Sequence, residues 1–445
     1  MKPLKRMLKI LGIILGVFVL VIGGYVAYVF IDYSRLGDIE LDIDNGTTQT
    51  INQSDVGSKE FVISSYNIGF GAYNRPYSFF MDEGYYKDEY QSEHNSTHVV
   101  GTHSQALSKD DAFTNTTGAF ATIAGLQDNL GATLKPDFSL YQEVDLNSDR
   151  SYHLNQVEMG REVHSEYDMT YAVNYHSAYL AYPFNEPIGK STSSIVTFSN
   201  YNIDKAERKE FTIAKGFSKV FDLDRCFSIS EIAISGSTKK LYIFNVHMSA
   251  YDASGLIRAA QLAQLKEEIA LRMDYDGEQN YVIVGGDFNH DLVVDNPRYA
   301  PLGNINWWDN YEIDGTKASW YNYFHLDESK VGTDVVNVHS GQEEPYQLDF
   351  GTEDHLNVFT GTNLPTCRDA ALPLQDENEN GMIDNFLISI DGFLVSDNIS
   401  VNEIKTVGSG PNGSQIEDLE PTDPRYGLGF VYSDHNPVYM KFILN

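Results

Sequence analysis

Tyr281-Val282-Ile283-Val284-Gly285-Gly286-Asp287-Phe288-Asn289 runs from an apolar, β-branched stretch into a polar end. The apolar part reads as a short strand. If the strand continues, Asp287 and Asn289 share one of its faces, because side chains alternate with a period of two. Four more segments join an apolar run to polar residues: Ser65-Tyr66-Asn67-Ile68, Tyr141-Gln142-Glu143-Val144, Asn245-Val246-His247-Met248 and Ser433-Asp434-His435-Asn436-Pro437-Val438. Asn245 and His247 again lie two apart. Five polar groups are thus expected at strand ends, where a packed sheet gives way to a cleft.

The expected strands span 61–66, 137–142, 194–199, 241–246, 281–284, 386–395 and 438–444, each short and rich in Val, Ile, Phe and Tyr. Helical stretches alternate with them, the pattern of an α/β or α+β domain. Leu262, Leu265, Ile269 and Met273 recur at helical spacing, with Ser254 as candidate cap, and a second helix is expected over about 117–129. Polar, aromatic and Gly/Asn-rich stretches at 75–112, 146–187 and 291–368 read as long surface insertions, which is where selectivity often resides.

The 445 residues include 31 Lys and Arg against 63 Asp and Glu, a formal charge of −32. That balance argues against a sequence-blind grip on polyanions through counterion release. It does not exclude a nuclease, because a bound metal supplies local positive charge. Two cysteines, Cys226 and Cys367, are too few for a disulfide framework, and either a single pair or two separate buried thiols is open. There is neither a Gly-x-Ser-x-Gly elbow nor a Gly-rich loop ending in Lys-Ser/Thr, which argues against a serine hydrolase and nucleotide-driven chemistry.

Residues 1–9 carry Lys2, Lys5, Arg6 and Lys9 without an acid, and residues 10–31 carry no charge. At about 1.5 Å per residue, the uncharged run can cross a hydrocarbon core of about 30 Å. The basic tip is expected in the cytoplasm, so that a single-pass anchor leaves the rest outside the plasma membrane. A cleaved secretory signal is the rival reading. Residues 32–58 are polar and acidic and read as a stalk, with one large catalytic domain over 59–445.

The residue types at the strand ends suit hydrolysis at phosphorus. Such a reaction needs charge on phosphoryl oxygens neutralised, water activated and the leaving group assisted. Hard oxygen donors on Glu143 and one or more of Asn67, Asp287 and Asp434 would hold a divalent cation, Mg²⁺ first, with Mn²⁺ or Ca²⁺ as alternatives. His435 is the candidate general base, and His247 a donor to the leaving oxygen or to phosphate. Asn67 and Asn289 could orient phosphate and water without adding charge.

In their order along the chain, Tyr66-Asn67, Gln142-Glu143, Asn245-Val246-His247, Gly286-Asp287-Phe288-Asn289 and Ser433-Asp434-His435 make residues 60–445 resemble the endonuclease/exonuclease/phosphatase superfamily. The resemblance implies a four-layer α/β sandwich, two mixed β-sheets face to face with helices outside, here preceded by one transmembrane helix. It also implies that Glu143 is a metal ligand, that His435 is the base, and that Asp287 with Asn289 positions water and phosphate.

The same resemblance calls for an Asp before a strand ending in Ser, to orient the histidine. Asp384 and Asp391 compete, and Asp391 is preferred because Asp384 has another candidate task. Asp376, Asn378, Asn380 and Asp384 stand at positions one, three, five and nine of a candidate calcium loop, with Gly381 at six. Leu387 occupies position twelve, where a bidentate Glu belongs, so a metal-free polar turn is the leading reading there. The function expected is a metal-dependent phosphodiesterase at the outer membrane face. Its substrate is either nucleic acid, as for an extracellular nuclease, or a phospholipid head group, as for a sphingomyelinase. A catalytically silent binding module is the alternative, and no protein partner is predicted.

Overall fold

The computed structural model describes residues 2–87, 96–127, 132–213, 224–250, 256–273, 279–290, 292, 312–313, 316–317, 356–360, 365–368, 387–408 and 429–445. Two mixed sheets form the framework. The first runs in the order Ile399–Thr406, Val438–Leu444, Phe61–Asn67, Phe138–Asp145, Thr192–Ser199, Asp168–His176. The second runs Ile39–Glu40, Lys205–Glu210, Cys226–Ser235, Lys240–His247, Tyr281–Asp287, Asp391–Ser396, Leu356–Thr360, with Ile51–Asn52 pairing off this path on Cys226–Ser235. Each sheet holds a central parallel pair, Phe61–Asn67 with Phe138–Asp145 and Lys240–His247 with Tyr281–Asp287.

The alternation of side chains explains why the sheets face each other. Phe61, Ile63, Phe138, Leu140, Val438, Met440 and Phe442 of the first sheet meet Leu241, Ile243, Tyr281, Ile283, Phe393 and Val395 of the second in one buried cluster. The intervening residues point outward and are covered by helices. Tyr242, Phe244, Val282, Val284 and Leu394 pack under Leu262, Leu265, Ile269 and Met273 of the helix Leu256–Met273. On the other face Tyr66, Tyr141, Val196 and Phe198 pack under Phe120 and Ile123 of Lys109–Ala124 and Val157 of Gln156–Val163. Helix, sheet, sheet and helix make four layers. The expected α/β sandwich is the one observed.

Several local expectations change. The helix expected over 117–129 is Lys109–Ala124: the Ser108 side chain accepts from Asp111 N at its start, and Gly125 ends it. The stretch 146–187 is not all insertion, because it contains Gln156–Val163 and the strand Asp168–His176. The strand expected over 386–395 divides into Leu387–Ile388, paired with Cys367–Arg368, and Asp391–Ser396. Ser254 lies outside the described residues, as do Asp376, Asn378, Asn380 and Asp384 of the candidate calcium loop. Cys226 and Cys367 are both free and buried.

The segment expected to be a stalk is laid along the domain instead. Ile39–Glu40 pairs with Lys205–Glu210, Leu41 packs with Ile195, Ile203 and Ala206, and Ile51 enters the core between the sheets. The buried Arg208 guanidinium donates to Leu36 O and Gly37 O at 2.9 and 2.7 Å. Its mean composition is polar, but single apolar residues at spaced positions give it places in the fold. Before it, the helix Lys2–Asp32 has its apolar residues exposed. Over Pro3–Asp32 it is long and apolar enough to span a membrane, a test that a signal sequence also passes.

Gly286 shows how closely the strands are set. Its φ is +145°, and a Cβ there would lie 2.1 Å from Val246 O on the neighbouring strand. Gly57, at φ +73°, has open space around it. Gly286→Ala should therefore cost upwards of about 3 kcal/mol through strain and overlap with backbone, whereas Gly57→Ala should cost only about 1–2 kcal/mol for its left-handed backbone. Denaturant unfolding of both variants checks this; equal losses would contradict it.

Candidate active site

The faces that carry the inter-sheet core turn polar at one end of the sandwich. Phe61 and Ile63 are followed two by two by Ser65 and Asn67, Leu241 and Ile243 by Asn245 and His247, and Tyr281 and Ile283 by Gly285 and Asp287. Asp391 begins the antiparallel strand that contains Phe393 and Val395, and His435 just precedes Val438–Leu444. Strand register then brings the end residues side by side: His247 pairs with Asp287, Asp287 with Asp391, and Asn67 with Gln142.

Glu143 reaches this face by a bulge. Tyr141 and Val144 both pack on the outer, helix-covered face although they are three residues apart, which requires one extra residue between them. Glu143 sits in that bulge at φ +54°, and its carboxylate lies beside Asn67 Nδ2 at 3.3 Å. Its side chain keeps 25% of its surface exposed, whereas Asp287, His247 and His435 keep 5% or less. The site is therefore a buried polar floor with Glu143 at its opening.

Below the site lies a layer of small and amide side chains. Gln142 Nε2 donates to Asn245 Oδ1 at 2.8 Å, and Asn245 Nδ2 donates to Val196 O at 2.9 Å, stitching one sheet to the other. Gly285 belongs to the same layer, where a Cβ would stand 2.7 Å from Leu140 and Phe393 side-chain carbons. Asn245 is thus a buried cross-sheet link.

Asp287 is the hub. Its Oδ2 accepts from Asn67 Nδ2 at 3.0 Å and lies 3.5 Å from His247 Nε2 and 3.8 Å from His435 Nε2. Its Oδ1 accepts from Asn289 N at 2.8 Å, the turn being completed by Asn289 in a left-handed conformation with its Nδ2 on Met248 O. Burial pushes the Asp287 carboxyl up to about 7, with the His435 charge opposing that rise and Asp391 adding to it.

The two histidines are held differently. His435 Nδ1 lies 2.8 Å from Asp391 Oδ2, which makes Nδ1 the donor and turns Nε2 toward Asp287. Burial alone would lower its pKa, but the Asp391 carboxylate beside it overrides this and holds it well above the usual imidazole value. His247 goes the other way: burial, then Arg225, His435 and Arg150, keep it well below that value and neutral. Asn174 Nδ2 faces its Nδ1 at 3.3 Å, so Nε2 carries the hydrogen and points at Glu143 and Asp287.

Asp434 stands next to this group. Its Oδ1 accepts from Ser433 Oγ at 3.1 Å, and the same hydroxyl reaches Asn67 O at 2.8 Å. Burial raises its carboxyl to about 6, with His435 and Arg368 opposing and Glu143 adding. Asn67 turns its amide oxygen to Gly69 N at 3.0 Å and its nitrogen to the carboxylates, so in this arrangement it braces Glu143 and Asp287.

Asp287, Asp391 and His435 each present a donor atom within 4.8 Å of the other two, and Cys367, Asp434 and His435 form a second such group. Carboxylates crowded in this way, two of them raised by burial, suit a hard divalent cation. Neither Cys367 nor Asn174 was singled out from sequence as a residue of the site. The buried Asp145 carboxylate, which takes Arg150 Nη2 at 2.9 Å and Nε at 3.1 Å, was likewise passed over. Asn174 lies within the strand Asp168–His176, whose aromatic and polar composition hid it.

No family model and no curated protein matches the chain. Among solved structures the chain is similar to an endonuclease/exonuclease/phosphatase from Beutenbergia cavernae DSM 12333, at 12% identity over 87% of this chain and 72% of that one, with a TM-score of 0.44. It is also similar to an endonuclease/exonuclease/phosphatase family protein from Bacteroides thetaiotaomicron, at 15% identity over 87% and 98% of the two chains and a TM-score of 0.42. TDP2 from Caenorhabditis elegans gives 13% identity over 88% and 77%, with a TM-score of 0.44.

The raised carboxyls make stability depend on pH. With its folded pKa near 7, Asp287 holds its proton in the native state where the unfolded chain has released it, so it favours folding fully below about pH 4. That contribution is lost as pH rises through about 7. In chelator, the melting temperature should fall between pH 5 and pH 7.5 by about 2 °C or more, and Asp287→Asn should flatten the decline. A steeper decline in the Asn variant would contradict the assignment.

Proposed function

We propose that the chain is a divalent-metal-dependent phosphoesterase that hydrolyses phosphodiester bonds with water activated at His435. The observation that carries this reading is the aligned trio Asp391, His435 and Asp287, with Nδ1 of the histidine bound to Asp391 at 2.8 Å and Nε2 facing Asp287 at 3.8 Å. Glu143, Asn67, His247 and Asp434 surround it, and they are the residues that in sequence resemble the endonuclease/exonuclease/phosphatase superfamily.

Glu143, Asp287 and Asp434 would hold the cation. When bound, it would supply positive charge against the phosphoryl oxygens, and its charge beside His435 would oppose the Asp391 field that keeps that ring protonated. Asp391 fixes the ring so that Nε2 accepts the proton of the attacking water. Neutral His247 offers its Nε2–H to a phosphoryl or leaving oxygen. Asn67 braces Glu143 and Asp287, and the Asn289 backbone N–H fixes the second oxygen of Asp287.

Nucleic acid and phospholipid head groups are both phosphodiesters, and the site chemistry described so far suits either. We place the protein at the plasma membrane, held by the helix Lys2–Asp32 with the catalytic domain outside. A silent binding module is the competing reading.

The full chain should turn over at least one member of a panel of bis-nitrophenyl phosphate, DNA, RNA, sphingomyelin and phosphatidylinositol, and chelator should abolish that turnover. His435→Ala and Asp287→Ala should each lower the rate by about 10²-fold or more. Asp391→Asn should lower kcat by a smaller factor and shift its pH profile. Absence of metal-dependent turnover across the panel, or full activity in the His435 variant, would overturn the reading.

A further inference from the structure

Apart from the N-terminal helix, two of the most exposed large apolar side chains among the described residues belong to one loop. Phe184 is 86% exposed and Tyr182 60%, and Tyr179 of the same loop is 43% exposed. Tyr182 packs edge-on against Phe80 and Phe184, at 5.5 and 5.9 Å between ring centres. The loop is closed at its base by reciprocal backbone bonds between Leu180 and Gly189. On one flank Gln105 Nε2 donates to Pro187 O at 2.6 Å and Ser104 N to the Glu186 carboxylate. Its aromatic tip is thus held outward.

The other flank of the loop is bound to the N-terminal helix. Tyr25 Oη donates to Tyr179 O at 3.1 Å and accepts from Ala181 N at 2.9 Å, and Tyr28 Oη accepts from Tyr179 N at 3.2 Å. Lys190 Nζ pairs with Asp32 at 3.1 Å where the helix ends. Tyr25 and Tyr28 lie about 9 and 5 Å before Ile31 along the axis, at roughly 1.5 Å per residue. With the uncharged run in a bilayer, these bonds set the loop at the depth where head groups meet acyl chains, the layer that favours Tyr and other aromatic rings.

The loop also leaves the sandwich at its catalytic end. It joins Asp168–His176, whose Asn174 touches His247, to Thr192–Ser199, whose Ser193 pairs with Asp145 just beyond Glu143. We propose that the loop carrying Tyr179, Tyr182 and Phe184 is a bilayer contact, continuous with the N-terminal helix, that turns the catalytic end toward the membrane and selects a lipid-borne phosphodiester. The substrate clause rests on the phosphoesterase reading; the seating of the loop does not.

The test uses the full chain in phosphatidylcholine vesicles containing lipids brominated high on the acyl chain. Phe184→Trp is compared with Leu271→Trp, an exposed position on Leu256–Met273 at the opposite end of the sandwich, each after subtraction of the parent with its three native tryptophans. Quenching at position 184 should exceed that at 271 by about 2-fold or more. Equal quenching at the two positions, which would leave the loop to a protein partner, overturns the seating whatever the enzyme does.

In the same vesicles carrying sphingomyelin and phosphatidylinositol, the double variant Tyr182→Ser, Phe184→Ser should lose about 5-fold or more of lipid turnover. Its turnover of soluble bis-nitrophenyl phosphate should stay unchanged. Turnover of the soluble ester with none of either lipid overturns the substrate clause while leaving the phosphoesterase reading intact. Equal loss on both substrates also overturns it, because the loop would then be acting on the site rather than on the membrane.

Discussion

A buried carboxylate, Asp287, is the constraint around which the rest is arranged. Its cost of burial is partly offset by hydrogen bonds from the Asn67 amide and the Asn289 backbone and by the two histidine rings turned toward it at 3.5 and 3.8 Å. These elements meet only if three strands of one sheet keep their register, His247 opposite Asp287 and Asp287 opposite Asp391, while the facing sheet delivers Asn67. A slip of one residue in any of them would send the polar group to the helix-covered face and bury it unpaired. Fold and site therefore depend on the same alternation.

The same logic explains the grading along the sandwich. Aromatic and aliphatic side chains fill the middle, the amides of Gln142 and Asn245 join the sheets above them, and ionisable groups occupy the end. The intermediate layer lets charged groups sit against a packed core with their hydrogen bonds made. It also fixes how close the sheets come, since Gly285 leaves room for Leu140 and Phe393.

Much of this was legible in the sequence because each apolar run ended in a polar group, a pattern that depends only on strand periodicity. Tyr281–Val284 followed by Asp287, and Leu241–Val246 followed by His247, could be read directly. The Glu143 bulge could not, because nothing in Tyr141-Gln142-Glu143-Val144 announces an extra residue. Lys205–Glu210 was missed because it is a strand of mostly charged residues, next to the short edge strand Ile39–Glu40, in which only Ala206 and Arg208 are buried. Residues 32–58 misled by their average polarity, since a few spaced apolar residues, Leu41 and Ile51 foremost, together with the pairing of Ile39–Glu40 carry them into the fold. The start of the helix Lys109–Ala124 was placed late because the Ser108 cap precedes its more apolar half.

In the proposed reading, residues from distant points of the chain converge on one cation-binding, phosphoester-cleaving centre. Anomalous diffraction from crystals equilibrated with Mn²⁺ tests this most directly. A strong anomalous peak is expected in contact with the Glu143 carboxylate and bordered by Asp287 and Asp434, with His435 still bound to Asp391. A structure in which Mn²⁺ leaves this cluster empty at saturating concentration, or binds only elsewhere, would contradict it.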